Sequence, residues 1–190
     1  MNYSTIKYSD IANGEGVRTS LFVSGCRRNC PGCFNAEAFS FTAGLPFTDA
    51  VEADILESLQ PFYVDGLTLL GGEPMEPENQ RGLLPFLRRV REVFPHKSIW
   101  CYTGFTYEVL TGQESLDSAN KEARGRTEVT DEVLECLDIL VDGPYVDELH
   151  DITLRFRGSS NQRIIDMNAT RREGRVVLWE DDPLFQTHVM

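Results

Sequence analysis

The sequence predicts an α/β protein built on a mainly parallel sheet. Short apolar runs alternate with amphipathic helical patterns over most of its 190 residues. Each of four such runs leads directly into a loop rich in glycine, proline or cysteine. Alternation of this kind builds right-handed βαβ units, and the carboxyl ends of the strands are then the place for a ligand.

The elements follow in order. VRTSLFV (Val17–Val23) reads as a strand. Thr48–Leu59 reads as a helix, with Val51, Ile55 and Leu59 four residues apart and Thr48 as its N-cap. GLTLL (Gly66–Leu70) is a buried strand. Asn79–Phe94 is a second helix, whose apolar stripe carries Leu83, Phe86, Leu87, Val90 and Phe94. SIWCY (Ser98–Tyr102) is a third strand, Thr130–Leu137 a short helix, and DILVD (Asp138–Asp142) a fourth strand. Ile152–Phe156, Arg163–Met167 and Arg175–Trp179 are candidates for further strands. Gln113–Glu128 is polar and reads as a long loop. Residues 1–167 are expected to form the domain and residues 168–190 a tail.

Composition limits the function. A hydrophobic content of 41% and a charged content of 25% are ordinary for a soluble globular chain. No run reaches the ~18 apolar residues of a membrane helix, and MNYSTIKYSD has neither the apolar core nor the cleavage pattern of a signal peptide. The cytoplasm is the default location, and no membrane partner is expected. A formal net charge of −12 repels a phosphate backbone, so no nucleic-acid partner is expected. Two local arginine clusters stand out, Arg88/Arg89/Arg91 and Arg171/Arg172, and the first reads as a solvated helix face.

Cysteine carries the chemistry. Of five cysteines, Cys26, Cys30 and Cys33 stand within eight positions, in CRRNCPGC. An odd, clustered set without a signal peptide argues for metal-binding thiols rather than disulfides. Structural zinc sites and cubane iron–sulfur clusters normally take four protein ligands. A fourth would have to come from Cys101, Cys136, His96, His150 or His188, and none of these forms a second metal-like pair. The simplest account leaves one iron open to an exogenous ligand. A zinc-binding or electron-transfer module with a distant fourth ligand is the rival. The other three loops are GGEP (Gly71–Pro74), TGF (Thr103–Phe105) and DGPY (Asp142–Tyr145). Four such loops on one predicted sheet edge imply one site.

Cys26-x-x-x-Cys30-x-x-Cys33, followed by Gly71-Gly72-Glu73-Pro74 after the next strand, resembles the radical S-adenosylmethionine superfamily. NGEGVRTSLFVSGC further resembles the glycyl-radical activating enzymes within it. CPGCFN, SIWCYTGF, LVDGPYV and RFRGSSNQR resemble the branch that serves anaerobic ribonucleotide reductase. The likeness spans roughly Asp10 to Asp166.

That resemblance implies an open, partial (β/α) barrel of about six mainly parallel strands, since a closed eight-stranded barrel takes ~250 residues. It implies a [4Fe–4S] cluster held by Cys26, Cys30 and Cys33, with S-adenosylmethionine on the free iron. Reductive cleavage would give a 5′-deoxyadenosyl radical, which takes a hydrogen atom from a backbone glycine. Gly71, Gly72 and Glu73 would receive the methionine amino group. Gly32, Cys33 and Phe34 would lie against the adenosyl part, and Thr103 and Asp142 would be further ligand contacts. Gly32 stands where many members carry an aromatic residue, and Phe34 is the candidate substitute. The implied partners are the large subunit of anaerobic ribonucleotide reductase and a flavodoxin- or ferredoxin-type electron donor. Activation of pyruvate formate-lyase is the nearest rival within the superfamily.

Overall fold

The computed structural model describes residues 1–33, 35–115 and 125–181. Its strands are β1 (Asn2–Asp10), β2 (Arg18–Val23), β3 (Leu45–Pro46), β4 (Gly66–Gly71), β5 (Ser98–Tyr102), β6 (Ile139–Asp142) and β7 (Arg163–Asp166). Its α-helices are α1 (Asp49–Ser58), α2 (Pro77–Val93), α3 (Tyr107–Leu110), α4 (Thr130–Glu135) and α5 (Met167–Glu173). The strands form one open sheet in the order β3-β1-β2-β4-β5-β6-β7.

The centre of that sheet is the predicted part. β2, β4, β5 and β6 are successive parallel neighbours, in the registers Leu21↔Leu69, Leu69↔Cys101 and Cys101↔Leu140. Helical crossovers between parallel neighbours leave their carboxyl ends on one edge. α1 begins where expected, with the Thr48 hydroxyl accepting from the Val51 amide at 3.4 Å. α2 begins two residues earlier than the apolar stripe suggests. Pro77 opens it, at a position where the missing N–H costs nothing.

Side chains alternate across each strand, and two cores result. Leu21, Leu69, Ile99, Cys101 and Leu140 face the helices, where Ile55, Leu83, Phe86 and Val133 meet them. Trp100, Ile139, Val141 and Ile164 face the other way, beneath Phe156 and Trp179. Arg18 is buried on the latter side at the start of β2. It donates to the carbonyls of Glu15, Leu67 and Ser98 and to the hydroxyls of Thr68 and Ser98, and it lies over the Trp100 ring. No carboxylate pairs with it in these bonds, and burial pushes its pKa down to about 10.

The structure corrects the sequence reading at the sheet's margins. β1 is a nine-residue strand that the polar run MNYSTIKYSD did not reveal. It pairs antiparallel with β2 and β3, and most of its side chains are exposed or half-buried. β7 runs antiparallel to β6, so parallel pairing is confined to the centre. Ile152–Phe156 is not a strand. The Asp151 carboxylate accepts from the Thr153 amide in a local turn, and Phe156 takes a φ of +58° to reach Trp100 and Trp179 at ring distances of 5.4 and 6.1 Å. Of Arg175–Trp179, Leu178 alone makes a bridge, to Ile165. Beyond residue 167, α5 packs on β6 and β7 and Trp179 lies 5.5 Å from Trp100. Residues 182–190 of the expected tail, most of the expected polar loop at 113–128, and Phe34 lie outside the described residues. Among the described residues no helix is long and apolar enough to cross a membrane.

Candidate functional site

The four loops predicted to share an edge open onto one cavity of about 360 Å³. Cys26, Cys30 and Cys33 line it from the loop after β2, and Gly71, Gly72 and Glu73 from the end of β4 and the loop after it. The segment after β5 contributes Thr103 and Gly104, and the segment after β6 contributes Gly143 and Tyr145. Gly32 and Asp142 are not among the lining residues. Cys101 is buried in β5 against the helices, and Cys136 lies at the end of α4, so neither reaches the cavity.

The cysteine loop is held by backbone bonds to a 3-10 turn at Ala36–Phe39. The Gly25 amide donates to the Ala38 carbonyl at 2.8 Å and the Cys26 amide to that of Phe39 at 3.0 Å. Cys33 N donates to the Cys30 carbonyl at 3.2 Å, which folds CPGC into a turn. Asn79, buried in the first turn of α2, donates to the carbonyls of both Ser24 and Glu73 and so ties the ends of β2 and β4 together. Arg27 points away from the cavity and pairs with Glu76 and Glu78.

Gly71 and Gly72 have a structural reason of their own. Gly71 has a φ of +111°, and a Cβ there would come within 2.7 Å of the Phe22 backbone. A Cβ on Gly72 would lie 2.7 Å from the Gly25 carbonyl oxygen. Gly71 therefore lets the end of β4 lie tight against β2, and Gly72, the next residue, meets the start of the cysteine loop.

Glu73 is buried, and its carboxylate is engaged within the protein. It accepts from the Met75 amide at 2.9 Å, the Thr103 hydroxyl at 2.8 Å and the Gly104 amide at 2.7 Å. Burial raises its pKa to about 7 against the downward pull of those donors and of Arg28. Thr103 reaches the cavity but spends its hydroxyl on Glu73, and its oxygen also accepts from the Phe105 amide. The buried Asp142 carboxylate accepts from Arg163 and from the Tyr107 amide, so it anchors the start of α3. Burial, helped by Glu73, pushes the Cys26 thiol up to about 12.

All five cysteines are free thiols. Three thiols lining one cavity are, by donor type, what an iron–sulfur cluster takes, although they are not drawn together here as a closed metal site. Among the described lining residues there is no fourth cysteine and no histidine. Among the described residues, too, no group of three or more His, Cys, Asp or Glu side chains is arranged to hold a metal ion.

Sequence reasoning missed several polar groups at the cavity. Asn13 lines it from the β1–β2 turn. The hydroxyl of Tyr102 is buried on its wall without a hydrogen-bond partner, and burial raises its pKa. Arg28, between two of the cysteines, also faces it. The signal for Arg28 was present in CRRNC, but the sequence does not distinguish it from Arg27.

A family model described as a 4Fe-4S single cluster domain matches residues 12–165. The chain is 41% identical over 166 residues to the anaerobic ribonucleoside-triphosphate reductase-activating protein of Pasteurella multocida, covering 86% of this chain and 96% of that one. It is 40% identical to the protein of that name from Haemophilus influenzae, with 86% and 97% covered. The Escherichia coli K12 protein is 37% identical, with 85% and 96% covered.

Proposed function

Because the chain belongs to the family of anaerobic ribonucleoside-triphosphate reductase-activating proteins, we propose that it activates an anaerobic ribonucleotide reductase by installing a glycyl radical on the large subunit. One observation carries the reading: three free thiols line one cavity with no fourth cysteine or histidine among the described lining residues. That arrangement supports a [4Fe–4S] cluster on Cys26, Cys30 and Cys33 with one iron left for a small ligand; of the candidate fourth ligands, His188 lies outside the described residues and no other lines the cavity.

When bound, the cluster and S-adenosylmethionine supply reductive cleavage of the sulfonium bond and the radical that abstracts hydrogen. The chain's own residues bind and orient. Gly71 lets the end of β4 lie tight against β2, Gly72 meets the start of the cysteine loop, and Glu73 fixes the loop after β5 through Thr103 and Gly104. Residues 71–73 would then flank the methionyl end of the ligand, and the CPGC turn with Phe34 would flank the adenosyl end. Thr103 would act through Glu73, and Asp142 by holding the start of α3. The open sheet suits a radical S-adenosylmethionine domain of the partial-barrel kind, because an open side admits a loop of a folded protein. The setting proposed is the cytoplasm, where thiols stay reduced, with a flavodoxin- or ferredoxin-type protein as reductant.

The test is anaerobic. Reconstituted protein is mixed with reductant, S-adenosylmethionine and the reductase, and a glycyl doublet is sought by electron paramagnetic resonance. The doublet should require all four components. A fully loaded cluster that gives neither S-adenosylmethionine cleavage nor a doublet would overturn the proposal.

A further inference from the structure

Arg27 and Arg28 are adjacent and chemically identical, yet their surroundings differ. Arg27 is satisfied by Glu76 and Glu78 outside the cavity. Arg28 lines the cavity, and its Nε is buried with no hydrogen-bond partner. Its guanidinium lies 4.9 Å from the centroid of the Phe105 ring and against Gly104, where a Cβ would approach Nε to 2.4 Å. Stacked in this way, the side chain is held in place while its Nε has no hydrogen-bond partner among the described residues.

The nearby carboxylate does not complete it. Glu73 is close enough for the Arg28 charge to pull its pKa down. Its hydrogen bonds, however, run to Met75, Thr103 and Gly104. The other cationic side chain on the cavity wall, Arg157, donates to the Gln162 carbonyl from the far loop. A half-buried guanidinium with an orphaned donor, facing a cavity, is suited to an anionic group brought in by a ligand, and a carboxylate matches its planar fork.

Chain connectivity fixes which end of a ligand that is. Arg28 is two residues from both Cys26 and Cys30, so its anion must lie beside the thiols. We infer that Arg28 is a specificity-determining residue of the cavity, which recognises the carboxylate at the amino-acid end of S-adenosylmethionine. The inference rests on the proposed function for the identity of the ligand, and on the cavity geometry for the role of Arg28.

The test reads binding rather than turnover. Affinities for S-adenosylmethionine and for its decarboxylated analogue are measured by anaerobic calorimetry on reconstituted, unreduced wild type, Arg28→Gln and Arg28→Lys. Iron and sulfide contents are checked first. Arg28→Gln should bind S-adenosylmethionine about 10- to 100-fold more weakly, the range for losing a charge-assisted hydrogen bond, and bind the analogue nearly as well as wild type does. Arg28→Lys keeps the charge but not the fork and should fall between. If Arg28→Gln fails to take up the cluster, Arg28→Lys decides alone: it should lose several-fold for S-adenosylmethionine and nothing for the analogue. Equal weakening toward both ligands, or none toward either, overturns the role of Arg28 and leaves the proposed function standing. A loaded wild type that binds neither ligand overturns the proposed function, and this inference with it.

Discussion

The Thr103 hydroxyl donates to the Glu73 carboxylate at 2.8 Å and joins the loop after β4 to the loop after β5 inside the protein. The same carboxylate takes the Met75 and Gly104 amides, so three donors from two loops converge on one side chain. A glutamate in a GGE motif reads as a ligand contact. Here it is the fastener that sets the spacing of two cavity walls.

Replacing Glu73 with Gln puts an NH₂ group where an oxygen meets a donor. One buried donor then goes unpaired, at a cost of about 1–3 kcal/mol. Thr103→Val should cost a similar amount, because the Phe105 amide also loses its acceptor. Glu73→Ala, unlike Gln, removes the acceptor of the Thr103 hydroxyl outright, so urea denaturation of Glu73→Ala combined with Thr103→Val should give less than the sum of the single changes, with a coupling of about 0.5–3 kcal/mol. Simple additivity would show that the Glu73–Thr103 bond does not join the loops.

Asp138 predicts an acid-sensitive sheet. It precedes β6, and its carboxylate takes the Ile99 amide at the start of β5, Arg91 from α2 and Asn168 from α5. Burial alone would raise its pKa, but the bonds from Arg91, Asn168 and Ile99 outweigh it and bring the pKa below 3.8. Because the folded value is the lower one, the unfolded chain takes up the proton first as pH falls. The contribution of Asp138 is therefore complete above pH 3.8 and is lost as pH drops through the folded value. Thermal melts of wild type and Asp138→Asn at a series of pH values should converge on acidification. Curves that stay parallel would contradict the assignment.

The parallel centre was legible because buried central strands must be continuous apolar runs. Ser98–Tyr102 appears at the predicted residues, and Thr48 caps its helix as read. β1 was not legible, since an outer strand with many exposed side chains needs no apolar pattern. The run at Ile152–Phe156 misled because Phe156 is apolar for a tertiary aromatic contact and not for a sheet face. At the site, the clustered cysteines and the GGEP loop at a strand end were readable because each is a local feature of the sequence. Arg28 was not, because its role depends on which neighbours are already paired.

Arg163 bridges the margin to the centre. Its fork takes both oxygens of Asp142, whose side chain is 1% exposed, and both of Glu108 on α3. Arg163→Met leaves the buried Asp142 carboxylate without its cation, with the Tyr107 amide still donating to it, at an expected cost of about 3–5 kcal/mol. Arg163→Lys keeps a charge but loses the fork, and should cost clearly less than Met. Urea midpoints decide between them, and equal midpoints for Met and Lys would show that the charge at 163 is irrelevant.

The five cysteines divide into two groups by position, and iron content should divide the same way. Cys26, Cys30 and Cys33 line the cavity, whereas Cys101 faces the helices from β5 and Cys136 ends α4. Changing each in turn to alanine and reconstituting anaerobically should lower iron and sulfide per chain for the first three only. Cys101→Ala removes a buried sulfur and should cost stability, about 1–2 kcal/mol for a small core truncation, with iron content kept. Cys136→Ala, at a half-buried position, should change neither by much. Loss of iron from Cys101→Ala or Cys136→Ala, in protein that still folds, would mean that a fourth cysteine serves the metal. The open coordination position at the centre of the proposed function would then be gone.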